Sequence, residues 1–263
     1  MERISVCILA YNDAHVLGDA ISSVMWADEI VVIDTASTDG TVALAESMGA
    51  RVVAVKFSGF GDLRNRAAEE CKMNWVFSLD SDERCTPSAR DEIMRLMAGG
   101  VSHDVFFVPR RNFVMGRWMK GAGYYPDFRG PQLFRKGTLR YTSALIHEGF
   151  DLLTARKPGT LENAIWHVPF RDLEEILAKA NLFSTLGAKK LSGRRVSMWS
   201  ALGHGLWAFI RIYLFKRGFL DGWAGFVVAL ANFEGTFYRY AKRHEAEQNW
   251  AVPRQPPLHR DGH

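Results

Sequence analysis

Within its first 80 residues the chain carries four apolar runs: ISVCILAYN (4–12), EIVVID (29–34), RVVAVKF (51–57) and WVFSLD (75–80). None keeps the strict apolar–polar alternation of a half-buried strand, so each needs cover on both faces. The segments between them read as helices that supply it. Val16, Leu17, Ala20, Ile21 and Val24 recur at helical spacing behind Asp13, a candidate N-cap. Thr38 or Asp39 can cap a helix over 41–48 with Gly49 at its C′ position, and a third helix covers 62–72. This βαβαβαβ series predicts an α/β fold with a mostly parallel, Rossmann-like sheet. Thr86-Pro87 opens a fourth helix, with Thr as N-cap and Pro at the first helical position. Beyond Gly99-Gly100, DVFFV, PQLFRK and LRYTSALIHEGF are separated by Gly and Pro turns and predict a second half of mixed β structure.

The last third has another character. Asp172 and Glu175 form a capping box for a helix running through Leu191. Trp199, Leu202, Leu206, Phe209 and Tyr213 then follow a 3-4 spacing, as do Trp223, Phe226, Leu230, Phe233, Phe237 and Tyr240. With the turn-like 217–222 between them they predict a hairpin of two amphipathic helices. Charge separates along the same line. Residues 1–170 hold 19 Lys+Arg and 21 Asp+Glu, whereas 171–243 hold 12 and 5, so a net +7 sits in the helical segment of a chain whose total is +4. The two stripes fit packing on each other or on the rest of the chain, a seam between two copies, or an interface with anionic lipid, which the basic residues would favour. A nucleic-acid partner is not expected, because the basic segment is amphipathic and holds no recognised nucleic-acid motif. The expected division is 1–170 for a catalytic domain, in halves 1–100 and 101–170, then 171–245 for a helical, membrane-facing region, then a flexible tail over 246–263.

Composition excludes other classes. With 48% hydrophobic and 24% charged residues the chain is not disordered. Cys7, Cys71 and Cys85 have no C-x-x-C spacing, which argues against a disulfide framework or a zinc site and fits a reducing compartment. No signal-peptide pattern and no run of about 18–20 apolar residues is found, so a cytoplasmic location is expected, peripheral on the inner face of the cytoplasmic membrane.

Three segments carry chemistry. Asp80-Ser81-Asp82 closes the fourth run. In an extended chain residues i and i+2 point to one side, so two carboxylates there can hold a hard cation such as Mg²⁺. A solvated acidic turn would use the same residues. The position decides for a site, because open parallel sheets bind ligands outside the carboxyl ends of their strands. IDTASTDGT (33–41) places Asp34 at a second such end, either to accept hydrogen bonds from a nucleobase or ribose or to hold an ordinary Asx turn. GFGDLRNRA (59–67) lacks the third glycine of a dinucleotide fingerprint, yet Arg64 and Asn65 at a helix start are suited to a diphosphate or base; ordinary surface charges explain them equally.

ISVCILAYN, VIDTASTDGT and FSLDSDE, in that order, resemble glycosyltransferase family 2, with its GT-A fold. YYPDFRGPQLFRKG, IHEGF and KRGFLDGWAGFVVALANFEGTFYRYAK look like one bacterial branch, whose members include lipopolysaccharide core glycosyltransferases. The resemblance implies inverting transfer of a sugar from a nucleotide-diphosphate sugar, with a UDP-sugar first, to a lipid-linked glycan in lipopolysaccharide core or other cell-envelope polysaccharide biosynthesis. It implies Asp80 and Asp82 as metal and diphosphate residues for Mg²⁺ or Mn²⁺. It places Asp34 near nucleobase and ribose, with Leu9, Ala10, Tyr11 and Asn12 lining the nucleotide pocket. Many members have a second acid where this chain has Thr35, so a base contact from that side chain is not carried over. For the base that takes the acceptor proton the sequence offers Glu148, beside His147 as a further metal or phosphate ligand, and Asp127, after Pro126. His167 reads as a structural histidine. Two other classes stand beside this one. A sugar-phosphate nucleotidyltransferase would need a glycine-rich loop after the first strand, where AYNDAH offers none. A non-catalytic nucleotide-binding membrane adaptor would bind the donor without turning it over.

Overall fold

Alternation along a single strand shows how the sheet is covered. In β1 (Ile4–Ala10), Val6 and Ile8 join one buried cluster, while Cys7 and Leu9 join another on the opposite face. The computed structural model describes residues 2–99, 101–127, 130–142 and 149–248. After β1 come α1 (Ala14–Ser23), β2 (Glu29–Asp34), α2 (Thr41–Ser47), β3 (Arg51–Ala54), α3 (Phe60–Glu70) and β4 (Trp75–Asp80). Leu17 and Ile21 of α1 and Ala45 of α2 pack on the first face of β1, and Leu63 and Ala67 of α3 on the second. Both faces are therefore dry, which is why these strands are apolar throughout.

The chain continues through β5 (Glu83–Arg84), α4 (Pro87–Gly99), β6 (Val105–Phe107), β7 (Arg110–Val114), β8 (Arg117–Trp118), β9 (Pro131–Arg135), β10 (Leu139–Tyr141), β11 (Phe150–Leu152), β12 (Gly159–Thr160) and β13 (Ile165–His167). The main sheet has the order β12-β6-β9-β4-β1-β2-β3. β1 pairs parallel with β2 and β4, and β2 with β3, whereas β9 runs antiparallel to both β4 and β6. The expected parallel half and mixed half are thus one continuous GT-A-type α/β sheet. A second sheet, β5-β13-β7-β8, places His167 opposite Glu83 and Asn112, a register that matters below.

Capping differs in places from the sequence expectation. Thr86 does cap α4, its Oγ1 accepting from Ala89 N at 3.2 Å. Asp13 does not cap α1: its carboxylate accepts from Tyr11 N and Ser81 Oγ instead. The N-cap of α2 is Gly40, and Asp39 bonds to Thr41 without a cap bond.

Two compact units divide the chain. Met1–Lys120 and Tyr124–Pro169 make one; Gly121–Gly123 belong with the chain from Phe170 onward. The second unit contains α5 (Leu173–Lys190), α6 (Met198–Ile210) continued by a π-helical turn over Arg211–Phe215, a 3-10 turn over Gly218–Asp221, and α7 (Gly222–Gln248). Asp172 caps α5 by accepting from Glu175 N, while the Glu175 carboxylate returns to Arg171 N. α7 packs against both α5 and α6, so the expected two-helix hairpin is part of a three-helix layer. The layer closes through small side chains. Ala201, Gly205 and Ala208 of α6 and Ala224, Gly225, Val228 and Ala229 of α7 are buried, and a Cβ on Gly205 would come within 3.1 Å of Phe233. The predicted stripes therefore split. Phe209, Tyr213 and Phe226 cluster edge-on, whereas Trp199, Leu206, Trp223 and Leu230 are exposed. Gly121 N donates to Asp221 Oδ2 and Ala122 N to Lys216 O, so the 121–123 segment is held by the turn between α6 and α7. No helix is long and apolar enough to cross a membrane among the described residues.

Candidate active site

Three strand ends create the site. Ala10 is in register with Asp34 of β2, and Leu9 with Asp80 of β4, so the two acids flank the end of β1. A cavity of about 620 Å³ opens here, lined by Leu9, Ala10, Tyr11, Asp13, Thr35, Phe57, Phe60, Leu63, Arg64, Asp80, Ser81, Asp82, Arg110 and His167. Asp80 and Asp82 both face it. The chain turns directly after Asp80, so their convergence comes from a tight turn and not from an extended strand.

Asp80 carries a positive partner already. Arg64 Nη2 donates to both of its carboxylate oxygens at 2.9 and 3.0 Å, and Nη1 donates to Ser78 Oγ. Asp82 Oδ2 lies 3.4 Å from His167 Nε2, and His167 Nδ1 lies 2.5 Å from Asn112 Oδ1. Both aspartates keep nearly a third of their side-chain surface open.

Beneath the acidic turn lies a buried charge network. Glu83 is fully buried; its Oε2 accepts from Asp80 N and Gln132 Nε2, and its Oε1 accepts from Arg110 Nη1 at 2.9 Å. Burial pushes the Glu83 carboxyl up, Asp80 adds to that, and the Arg110 guanidinium opposes it. Burial disfavours the charge on Arg110, yet Glu83 and Asp127 outweigh it and hold its pKa above the ordinary arginine value. A buried arginine between two carboxylates is a rigid support, because removing one partner leaves an uncompensated charge.

The structure places several of the expected site residues away from the cavity. Asp127 does not line the cavity. It is buried, and its Oδ2 accepts from Arg110 Nη2 at 3.0 Å and Asn112 Nδ2 at 3.1 Å, which makes it an anchor for Arg110 and leaves it poorly placed as a base. Asn65 also faces away. Its amide donates to Tyr141 O and accepts from Tyr141 N, both at 2.8 Å, tying α3 to β10. Asn12 ties two loops together: its N donates to Ser37 Oγ and its Oδ1 accepts from Thr38 N. Asp34 Oδ2 accepts from Ala36 N and Ser37 N, as an Asx turn would, while Oδ1 is buried without a hydrogen-bond partner. Glu148 and His147 lie outside the described residues.

Sequence reasoning missed Glu83, Arg110, Asn112 and Gln132, and it set His167 aside as structural. It also missed Phe57 and Phe60, which meet edge-to-face at 5.2 Å along the cavity. The spacing of the acidic D-S-D-E run could have pointed to Glu83. Nothing local could have pointed to Arg110, Asn112, Gln132 and His167, which arrive from β7, β9 and β13.

A divalent cation would find suitable donors here. Two carboxylates of a tight turn suit Mg²⁺ or Mn²⁺, which take the rest of their shell from water and phosphate. The positive charge now on Asp80 is supplied by Arg64. Among the described residues no group of three or more His, Cys, Asp and Glu side chains is arranged to hold a metal by itself.

Known proteins place this architecture. A glycosyltransferase of Rickettsia felis described as uncharacterized is 28% identical over 94% of this chain and 91% of its own length. The lipopolysaccharide core biosynthesis glycosyltransferase LpsC of Rhizobium meliloti is 28% identical over 96% of this chain and 95% of its own. Among solved structures, a glucosyl-3-phosphoglycerate synthase of Mycobacterium tuberculosis in complex with Mn²⁺ and uridine-diphosphate-glucose is similar over 42% of this chain and 44% of its own, at 26% identity and a TM-score of 0.37. The family model described as glycosyl transferase family 2 matches residues 5–153, more than half of the chain and every cavity-lining residue but His167. The chain belongs to glycosyl transferase family 2.

Proposed function

We propose that this glycosyltransferase moves a sugar, with inversion, from a nucleotide-diphosphate sugar to a lipid-linked glycan at the inner face of the cytoplasmic membrane. The first unit carries the chemistry. The observation that bears most weight is the Asp80–Asp82 turn at the carboxyl end of β4, opening into the cavity beside Arg64 and His167. When bound, Mg²⁺ or Mn²⁺ supplies Lewis-acid stabilisation of the departing nucleoside diphosphate. Asp80 and Asp82 would hold it. Arg64 can exchange its carboxylate partner for the diphosphate, since a guanidinium binds both in a two-pronged way. Leu9, Ala10 and Tyr11 form the wall on which the nucleoside rests, Phe57 and Phe60 offer aromatic faces, and Asp34 offers its unpartnered Oδ1.

Glu148 is the proposed base for the acceptor hydroxyl, because the alternative carboxylate, Asp127, is committed to Arg110 and Asn112. The likeness to LpsC across nearly the whole of both chains supports lipopolysaccharide core as the acceptor class. The donor is tested by thermal shift across a panel of nucleotide sugars, UDP-sugars first, with and without Mn²⁺. A ligand present at 100 times its Kd stabilises the folded state by about 2.7 kcal/mol. A melting-point rise for one donor class that needs the metal is the expected result; no rise with any donor would overturn the site. Glu148→Gln should keep that rise and lose transfer, and full activity in the variant would remove Glu148 from the mechanism.

A further inference from the structure

The second unit turns many of its large apolar side chains outward. Ala201, Gly205 and Ala208 of α6 and Ala224, Val228 and Ala229 of α7 are buried, with Gly205 against Phe233 and Phe237 of α7, while Trp199 is 83% exposed, Trp223 78% and Phe215 69%. Leu214, Phe219 and Leu220 are exposed as well, so the turn between the helices is an apolar tip. Water-soluble helix pairs ordinarily bury such residues and expose small or polar ones; packing through small residues with an apolar exterior is the arrangement of helices in contact with lipid.

Charge narrows the partner. Between Met198 and Leu230 the charged residues are Arg211, Lys216, Arg217 and Asp221. The three cations are exposed and the acid is buried on Gly121 N. Basic residues farther along α7 point elsewhere: Lys242 Nζ donates to Asn181, Ser184 and Thr185 of α5, and Arg243 to Glu247 and Arg194 O. The three exposed cations of this stretch thus lie at the apolar tip, while a second exposed basic group, Lys189, Lys190, Arg194 and Arg195, lies at the α5–α6 connection. A second copy would bring the same cations against themselves, whereas an anionic bilayer surface supplies the opposite charge and an apolar layer at once.

We infer that the α6–α7 tip and the outer face of α6 insert shallowly into an anionic bilayer interface, with Phe215, Leu220 and Trp223 below the headgroups and Arg211, Lys216 and Arg217 among them. The helices lie on the membrane and do not span it, in keeping with their composition. This deepens the membrane location of the proposed function and rests on the helical unit alone. Its test uses no sugar donor, so the two can fail separately.

The test is co-sedimentation of the full chain with vesicles of phosphatidylcholine alone or with 30% (roughly, the anionic share that gives a cytoplasmic-leaflet potential) phosphatidylglycerol, together with tryptophan quenching by lipids brominated on their acyl chains. Binding to the anionic vesicles with quenching is expected. Arg211→Gln/Lys216→Gln/Arg217→Gln should bind about 100-fold more weakly, from three lost headgroup attractions. Phe215→Ser/Trp223→Ser should lose the quenching; both residues are so exposed that the fold, checked by circular dichroism and melting temperature, should hold. Should that pair fail to fold, Trp199→Ser is read in its place. Absence of wild-type binding, or binding that neither variant weakens, overturns the inference. A lipid-free dimer that the serine variant splits would give the face to a second copy instead.

Discussion

Asp82 is the most economical place to test the site. Its carboxylate faces the cavity with Oδ2 3.4 Å from His167 Nε2, and Asp82→Asn changes charge with little change of shape. Transfer should fall by about 10²–10³, the range seen when one group stabilising transition-state charge is lost. The Mn²⁺-dependent thermal shift should vanish with it, and enzyme assay beside melting curves checks both. Asn65→Ala should behave oppositely. It leaves Tyr141 N and O without their partners and should cost about 1–3 kcal/mol in denaturant unfolding, with donor affinity unchanged. The difference marks what sequence reveals at this scale. The position of Asp80 and Asp82 at a strand end that faces the cavity was legible because a strand end and a spacing sit in consecutive residues. Arg64 was legible as a residue, though its pairing with Asp80 was not. Asn65 was misplaced because a helix start does not tell which way an amide turns.

Elements were more legible than the contacts that fix them. Apolar runs located the first four strands, and helical spacing and capping residues their helices and α5, because burial on two faces or on one stripe and a helix end each leave a local signature. The small sheet of β5, β13, β7 and β8 left none. Its strands are two to five residues long, and its register joins Glu83 to residues far away in the chain. The helical layer was legible as amphipathic, yet the side it buries was not, since small residues and large ones share the 3-4 spacing. That layer yields paired predictions. Gly225→Ala places a Cβ 1.8 Å from Gly218 O and should destabilise the protein by about 1–3 kcal/mol or more through overpacking. Gly203→Ala, on an exposed helical position with nothing within 4 Å, should stabilise it by up to about 1 kcal/mol through helix propensity. Thermal unfolding followed by circular dichroism separates the two signs.

For the whole molecule the charge map read from sequence keeps its outline and changes its meaning. The helical unit is the basic one, but part of its charge is consumed inside it, as at Lys242. Acid stability also reflects the assembled chain. Burial raises the Glu29 carboxyl, and bonds from Ser5, Lys72 N and Arg51 outweigh that and leave it below the ordinary glutamate range. A lowered folded value means that the unfolded chain binds the proton first. The contribution is therefore present above the ordinary glutamate range and is lost as pH falls through the folded value. Glu83 has the opposite sign: its raised value weakens the folded state as pH climbs from the ordinary range through that higher value. Glu29→Gln should thus be less stable at neutral pH and flatter in its acid limb, as urea unfolding across a pH series would show. The short 121–123 segment has a consequence for dissection. Since the chain leaves the first unit at Lys120, lends three residues to the second, and returns at Tyr124, neither unit is a contiguous stretch. Cutting after Pro169 would strip Asp221 and Lys216 from Gly121 N and Ala122 N and leave a seam with no thread in it. The helical layer is sewn into its neighbour's sequence, and any attempt to express the sugar-transfer unit by itself must first rewrite that stitch.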